Sequence, residues 1–322
     1  MISRYAEKKL QEYLDGNDHK IFFLWGPRRS GKTTLLEQLS RQLSVPLFNF
    51  DLVSDREFFV PYKEKLDILA SKYRVILIDE VQSYPESTVP LKILYDMYDV
   101  KIIATGSSEL RKKSQQFDSL AGRFTEHYCV PLSIEEIYDF APPLPHEKPS
   151  FFRSLREKIQ IFGSYPEIYT RIGNEEDTVQ LLQNILDTYI LKDVIVIYQL
   201  RDSKLAKDLL TKIALQVGHE VSVRELAQSL NANTITISNY IEIFIKNFIL
   251  IPLPSFKTNL RKAVSQHRKL YFSDLGIRNA LVKDFRPMHL RPDSGGVFEN
   301  FIISEIWKKK MNDGLLLSMY FY

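Results

Sequence analysis

A single cysteine, Cys129, in 322 residues excludes any disulfide within the chain. It lies in an apolar strand pattern with no evident His and Asn arrangement, so it reads as a packing residue suited to a reducing compartment. The six histidines show no Cys/His spacing that would chelate zinc, and His127 and His219 read as local structure. No apolar run approaches the length needed to cross a bilayer. The chain opens on MISRYAEKK, with no charged-then-apolar leader. A cytoplasmic chain with no membrane partner is therefore expected. No internal repeat or low-complexity tract appears, which argues against a solenoid. The balance of 43 Lys and Arg against 40 Asp and Glu, with 44% hydrophobic residues, is that of an ordinary globular protein. The length allows two or three units, each large enough to bury a core.

The stretch HKIFFLWGPRRSGKTTLLEQL, residues 19–39, is an apolar strand running into a glycine-bounded loop that opens a helix. Residues 26–33, GPRRSGKT, satisfy the G-x-x-x-x-G-K-[ST] rule. Its glycines let successive backbone N–H groups curl around phosphates without Cβ clashes. Gly26, Pro27, Arg28, Arg29, Ser30, Gly31, Lys32, Thr33 and Thr34 are thus candidate nucleotide-binding residues. Lys32 would reach the β- and γ-phosphates, Thr33 offers a hydroxyl to Mg²⁺, and the helix points its partial positive end at the anion.

A second motif, YRVILIDEVQ at residues 73–82, bears on what happens to the nucleotide. Four consecutive aliphatic residues, Val75 to Ile78, read as a strand buried on both faces, as in a parallel sheet covered by helices. Asp79 and Glu80 sit at its carboxyl end, where open α/β sheets place ligands. Asp79 would hold Mg²⁺ through its water shell, and Glu80 could polarise a water for in-line attack on the γ-phosphate. A short strand is expected over residues 45–51, mixed helix from Asp55 to about Lys72, a helix around residues 88–98, and a strand VKIIATGSS ending in Thr105, Ser107 and Ser108. A hydroxyl there, Ser107 being the candidate, can sense the γ-phosphate; turn formation is the competing reading. Arg123 precedes a fifth strand and is a candidate for stabilising the transferring group in cis or in trans.

The combination GPRRSGKTTLL, ILIDEVQ, TGSS, AGR, PLSIEEI, GSYPEIY, KLYFSDLGIRNAL and GGVFENFIISEI resembles a widespread family of prokaryotic AAA+-type ATPases. Members of that family join the ATPase module to a winged helix and a C-terminal nuclease-like region. The resemblance implies an α/β fold with a P-loop parallel-sheet core and helices on both faces, and Mg-ATP as ligand. It implies that Gly31, Lys32 and Thr33 bind phosphate and metal, that Asp79 and Glu80 serve hydrolysis, and that Arg123 is the catalytic arginine candidate. Gln82 matches the family's Asp-Glu-x-Gln pattern without a role of its own.

The expected organisation is an ATPase domain over residues 1–140, a proline-dense linker at residues 141–150, a helical connector over 151–202, a winged helix over 203–273, and a truncated nuclease-like segment over 274–322. VSVRELAQSL, the turn NANT and ITISNYIEIFIKNFI have helix-turn-helix lengths, and two short strands with a basic excursion follow. Residues 201–270 hold eleven Lys and Arg against five Asp and Glu. Lys257, Arg261, Lys262, Arg268 and Lys269 at the tip, with Thr236 and Asn239 on the second helix, are candidates for nucleic-acid contact. A solvated loop or a protein-contact module is the alternative, because the candidate reading helix has no arginine for specific contact with guanine. The family usually continues into strands bearing an acid and then Glu-x-Lys, whereas this chain stops at LLLSMYFY. No nuclease activity is expected, the terminal apolar run reads as an exposed edge prone to self-association, and Lys308 to Lys310 read as charges placed against a helix dipole. Two function classes follow: a Mg-dependent ATPase acting on DNA or a protein partner, and a non-hydrolysing ATP-binding switch, interaction module or truncated remnant.

Overall fold

The computed structural model describes residues 2–106, 119–171, 173–191, 202–256, 268–315 and 318–321. They form two compact units, Ser3–Val130 and, together with Ile2, the chain from Pro131 onward.

In the first unit the order is α1 (Tyr5–Asp15), β1 (Ile21–Trp25), α2 (Lys32–Leu43), β2 (Leu47–Asn49), α3 (Val53–Arg56), α4 (Lys63–Lys72), β3 (Val75–Asp79), α5 (Thr88–Met97), β4 (Lys101–Gly106) and β5 (Phe124–Tyr128). The five strands are parallel, in the order β2-β3-β4-β1-β5. All five residues of β1 are buried, the burial an uninterrupted apolar run predicts for a sheet covered on both sides. On one face Phe22, Leu24, Leu77 and Ile103 join Ala6 and Leu10 of α1 and Leu35, Leu36 and Leu39 of α2 in a single cluster. Alternation sends Phe23, Trp25, Ile76, Ile78 and Ile102 to the other face, where they too are buried. Because β4 lies between β1 and β3, the phosphate-loop candidate and the Asp79-Glu80 pair open at one carboxyl edge with the end of β4 between them. Lys101 fixes the other edge: its ammonium donates to the carbonyls of Tyr13, Leu14 and Gly16 at 2.7, 2.7 and 2.6 Å, satisfying acceptors left over where α1 ends.

The boundary falls at Val130, ahead of the expected end of the first domain at residue 140. The reason is burial. Helix α6 (Ile134–Phe140) places Ile137 in a cluster with Leu132, Leu155 and Ile159 of the second unit. The proline-dense stretch after it holds a 3₁₀ turn at Pro145–Glu147 and the first turn of α7 (Lys148–Phe162), where Pro149 is tolerated because the first helical N–H groups have no partner within the helix.

The second unit continues with α8 (Pro166–Arg171) and α9 (Glu175–Asn184), which runs on as π-helix over Ile185–Leu191. Next come α10 (Ser203–Leu215), β6 (Glu220–Val221), α11 (Val223–Ser229), α12 (Thr234–Lys246), β7 (Leu250–Pro254) and β8 (Arg268–Phe272), followed by α13 (Leu275–Val282) and α14 (Ser294–Asp313). Strands β6, β8 and β7 form an antiparallel sheet in that order. β7 carries Pro252 and Pro254 and is an edge strand, the one place where the missing N–H groups are harmless. Asp202, Ser222 and Asn233 each cap the helix that follows through a side-chain oxygen.

The motifs of the second unit meet in a buried polar network. Gly163 lies against Asp274, where an added Cβ would fall 2.0 Å from the carboxylate, and Gly276 lies against the Phe162 carbonyl, where one would fall 2.1 Å away. Asp274 accepts from the Ser164 N–H at 2.7 Å and caps α13. Asn279 donates to the carbonyls of Gln160 and Ile161, both at 2.8 Å, and Arg278 donates to Ala214 O at 3.0 and 2.7 Å. The GSYPEIY and SDLGIRNAL strings are therefore the two sides of one joint. Lys308 departs from the expected dipole role. It is 1% exposed and donates to Leu132 O, Ser164 Oγ and Glu305 at 3.1, 2.8 and 2.6 Å, because a buried ammonium needs all its donors matched. Lys309 pairs with Glu135 at 2.7 Å. Near the end of the described chain, Phe321 exchanges backbone hydrogen bonds with Pro254 and Phe256 at 3.0 and 2.6 Å, forming a parallel bridge beside Ser255 just past β7.

Candidate active site

The site is assembled wholly within Ser3–Val130. Between β1 and α2 the chain turns through Gly26, Pro27, Arg28, Arg29, Ser30 and Gly31. At Gly26 the chain just past β5 comes close: a Cβ there would sit 1.9 Å from the Cys129 carbonyl. Gly31 takes φ +99°, a conformation that L side chains rarely adopt, and starts α2 with no side-chain cap. The first N–H groups of α2 are thus left to an external acceptor, the arrangement that favours a phosphate at a helix N-terminus. Thr34 follows, half-buried on the first turn.

Two braces hold the loop from behind. Arg4 is 5% exposed, and its guanidinium donates to Ser30 O and, at 2.5 Å, to Val130 O. The Cys129 thiol donates to the same Ser30 carbonyl at 3.3 Å. In the loop, Ser30 Oγ donates to Pro27 O at 2.8 Å. Lys32 is buried and donates to Gly26 O and Pro27 O at 2.9 and 2.8 Å. Burial pulls its ammonium below the usual lysine range, opposed by the nearby Glu80, Cys129 and Asp79.

Asp79 is the centre of an oxygen cluster. One carboxylate oxygen accepts from Thr33 Oγ1 at 2.8 Å, and the other accepts from Thr105 Oγ1 and, at 3.0 Å, from the Glu80 N–H. Glu80 leaves the strand at φ 53°, in the left-handed region. Burial raises its carboxyl above the usual range, opposed by the charge of Lys32 and a hydrogen bond donated by Gln82. The hard oxygen set of Thr33 and Asp79 fits Mg²⁺, which takes one or two protein oxygens and fills its octahedron with phosphate and water. No group of three or more His, Cys, Asp or Glu among the described residues is placed to hold a metal by itself. No helix among them is long and apolar enough to cross a membrane.

Lys32, Thr33, Asp79 and Glu80 are brought together, while Ser107 lies outside the described residues. Arg123 is not at this edge. It immediately precedes β5, whose Phe124 pairs with Ile21 at the opposite, amino-terminal edge of the sheet. Five residues of strand, about 16 Å, separate the two levels. Its guanidinium makes a two-pronged pair with Asp96 of α5 at 2.8 and 3.1 Å. The expected cis contact with the phosphates is therefore corrected: in a parallel sheet, a residue that precedes a strand faces away from the ligand edge. Arg4, Thr105 and Gln82 complete the site, although the sequence reading gave none of them a specific role. Arg4 carried no local signal, Thr105 stood among three hydroxyls, and Gln82 stood in a motif of unknown use.

In the second unit, Asn239 is exposed and Thr236 half-buried on α12. Arg268 pairs with Glu242 at 2.7 Å, and Lys269 pairs with Glu299 at 2.9 Å while lying over the Phe321 ring. These two cations are thus neutralised within the fold and are not the free phosphate contacts expected of them. Lys257, Arg261 and Lys262 lie outside the described residues. Glu299 also accepts from Tyr271 Oη at 2.6 Å, and Glu305 accepts from the Ile134 N–H at 2.9 Å, so each has a structural partner.

Residues 18–138 match the family model described as "AAA domain", and residues 153–287 match "Domain of unknown function (DUF8612)". The chain is 25% identical over 308 residues to the uncharacterized protein MJ1544 of Methanocaldococcus jannaschii, covering 90% of this chain and 67% of that one. It is 26% identical to MJ1637 of the same organism, covering 85% and 65%. An uncharacterized protein of Haemophilus influenzae is 24% identical, with 86% and 73% covered. The chain thus spans about two thirds of the length of the two archaeal relatives. Among solved structures it is similar to the Aeropyrum pernix ORC1 protein in complex with DNA, at 16% identity and a TM-score of 0.34, covering 88% of this chain and 93% of that one. That likeness is too slight to carry an argument.

Proposed function

We propose that Ser3–Val130 binds Mg-ATP and hydrolyses it to ADP and phosphate, and that nucleotide state is coupled to residues 203–273 acting as a winged helix on DNA or a protein partner. The observation that carries the reading is the Asp79 carboxylate held between the hydroxyls of Thr33 and Thr105, with Glu80 next to it, at the mouth of a glycine-bounded loop. The "AAA domain" match over residues 18–138 supports it.

In this reading the loop N–H groups and the N-terminus of α2 hold the phosphates, and Lys32 neutralises their charge. Thr33 and Asp79 are the residues that would hold Mg²⁺, which when bound neutralises charge on the transferring phosphoryl group. Glu80 orients the attacking water and takes its proton as the new P–O bond forms and the bond to the leaving ADP oxygen breaks. Thr105, by donating to Asp79, keeps that carboxylate aimed at the loop. In the winged helix, Asn239 and Thr236 would face the partner, and the basic contact would come from Lys257, Arg261 and Lys262, because Arg268 and Lys269 are engaged by Glu242 and Glu299.

The test is steady-state ATP hydrolysis with Mg²⁺, with and without double-stranded DNA, comparing the parent chain with Lys32→Ala and Glu80→Gln. Lys32→Ala should lose nucleotide binding, and Glu80→Gln should bind ATP and stop turning it over. Hydrolysis by Glu80→Gln at the parent rate would remove the base assignment. Tight binding with no turnover in the parent would support the switch reading instead. Stimulation by DNA that charge reversal at Arg261 and Lys262 removes would assign the partner as nucleic acid.

A further inference from the structure

Gln82 occupies a place built for it. β3 ends at Asp79, Glu80 breaks the strand in a left-handed conformation, and Val81–Ser83 form a single 3₁₀ turn closed by a hydrogen bond from Ser83 N to Glu80 O at 2.9 Å. That turn is pinned at two further points. Val81 is fully buried, and Ser83 Oγ donates to Asp51 beyond β2 at 2.6 Å. From this fixed turn the Gln82 amide reaches back and donates to the Glu80 carboxylate. The other end of the same amide fills a gap at the end of β4. A Cβ on Gly106 would lie 2.7 Å from Gln82 Oε1 and 2.2 Å from the Trp25 ring, so the side chain is admitted only because residue 106 is glycine. The turn and the base are thereby joined through one amide, which packs beside the strand end.

We propose that Gln82 is a positioning residue for the base: its donated hydrogen bond holds the Glu80 carboxylate in one orientation at the phosphate-loop edge, while the amide oxygen packs beside Gly106 at the end of β4. A glutamate has three side-chain torsions, and Glu80 starts from a strained backbone position, so without a donor its carboxylate would sample several rotamers. This inference rests on the ATPase reading of the site.

The deciding variant is Gln82→Met, which keeps the length and fills the gap beside Gly106 but removes the donor. Turnover should fall roughly ten- to a hundredfold, the range expected when a reacting group is misplaced rather than lost. KM and the affinity for a non-hydrolysable ATP analogue should stay within about twofold, because Gln82 acts on the base and not on binding. Without nucleotide, the Gln82 side-chain amide resonance of ¹⁵N-labelled protein, assigned by its loss in Gln82→Met, should shift when Glu80 is replaced by Gln. Parent-like turnover in Gln82→Met would overturn the positioning role and leave the ATPase reading standing. An amide resonance unmoved by Glu80→Gln would also overturn it. A parent chain with no Mg-ATP turnover would overturn the ATPase reading and the inference with it.

Discussion

The Thr33 hydroxyl donates to Asp79 at 2.8 Å across 46 positions of sequence, so the start of α2 and the acidic strand end are joined directly. In the proposed reading these are the two residues that would hold Mg²⁺. Asp79→Ala should therefore remove the Mg²⁺ dependence of ATP-analogue binding, with Thr33→Ala weakening it about tenfold, or about 1.4 kcal/mol. Titrating a fluorescent analogue with and without Mg²⁺ reads this directly. Retention of the full Mg²⁺ effect in Asp79→Ala would place the cation elsewhere.

Arg123 and Asp96 form their pair at the amino-terminal edge of the sheet. Arg123→Ala is expected to leave turnover per chain unchanged at concentrations where the protein is monomeric. A loss of turnover under those conditions, confirmed monomeric by sedimentation, would contradict the geometry.

His127 stacks on Phe22 with ring centroids 4.0 Å apart, and burial lowers its pKa to about 4. The native state thus resists protonation that the unfolded chain, near 6.5, accepts first. Stability present above pH 6.5 should be lost as the pH falls towards 4. Because the ring is only half-buried, solvent screening reduces the effect to about 1–2 kcal/mol. His127→Leu should flatten the fall of denaturation midpoint between pH 7 and pH 5, and an identical slope in both proteins would assign the acid sensitivity to other groups.

Asn300 is fully buried and exchanges two hydrogen bonds with the backbone of Phe272, at 2.8 and 2.7 Å, standing in for a neighbouring strand. Asn300→Leu leaves that N–H and C=O without partners and should destabilise the second unit by about 2–4 kcal/mol. Chemical denaturation of the full chain followed by tryptophan fluorescence would resolve it through Trp307 of α14. The same midpoint as the parent would show that β8 does not depend on this helix.

The glycine-bounded loop and the acidic strand end were legible because each is contiguous: the placement of GPRRSGKT and of ILIDE follows from local backbone geometry and from the strand that each adjoins. Within residues 203–273 the two helices and two strands seen as α11, α12, β7 and β8 were legible for a similar reason, since apolar spacing is a local signal. Of the two alternatives for Arg123, the cis one was misplaced although a signal existed, since once all strands are parallel a residue ahead of a strand lies opposite the ligand edge. Arg268, Lys269 and Lys308 were read by charge alone, and their partners Glu242, Glu299 and Ser164 lie 26, 30 and 144 positions away.

By itself the sequence determined that a glycine-bounded strand-to-helix loop and a strand leading into Asp79-Glu80 are present, because those depend on neighbours in the chain. Tertiary structure alone decided which side chains complete the site and which charges are free. Only the strand order sets Thr105 against Asp79, only the packing of α1 brings Arg4 to Ser30, and only the missing Cβ at Gly106 leaves room for Gln82. Hydrogen bonds and ion pairs are contacts in space, and periodicity along a chain carries no information about partners that arrive from elsewhere in the fold.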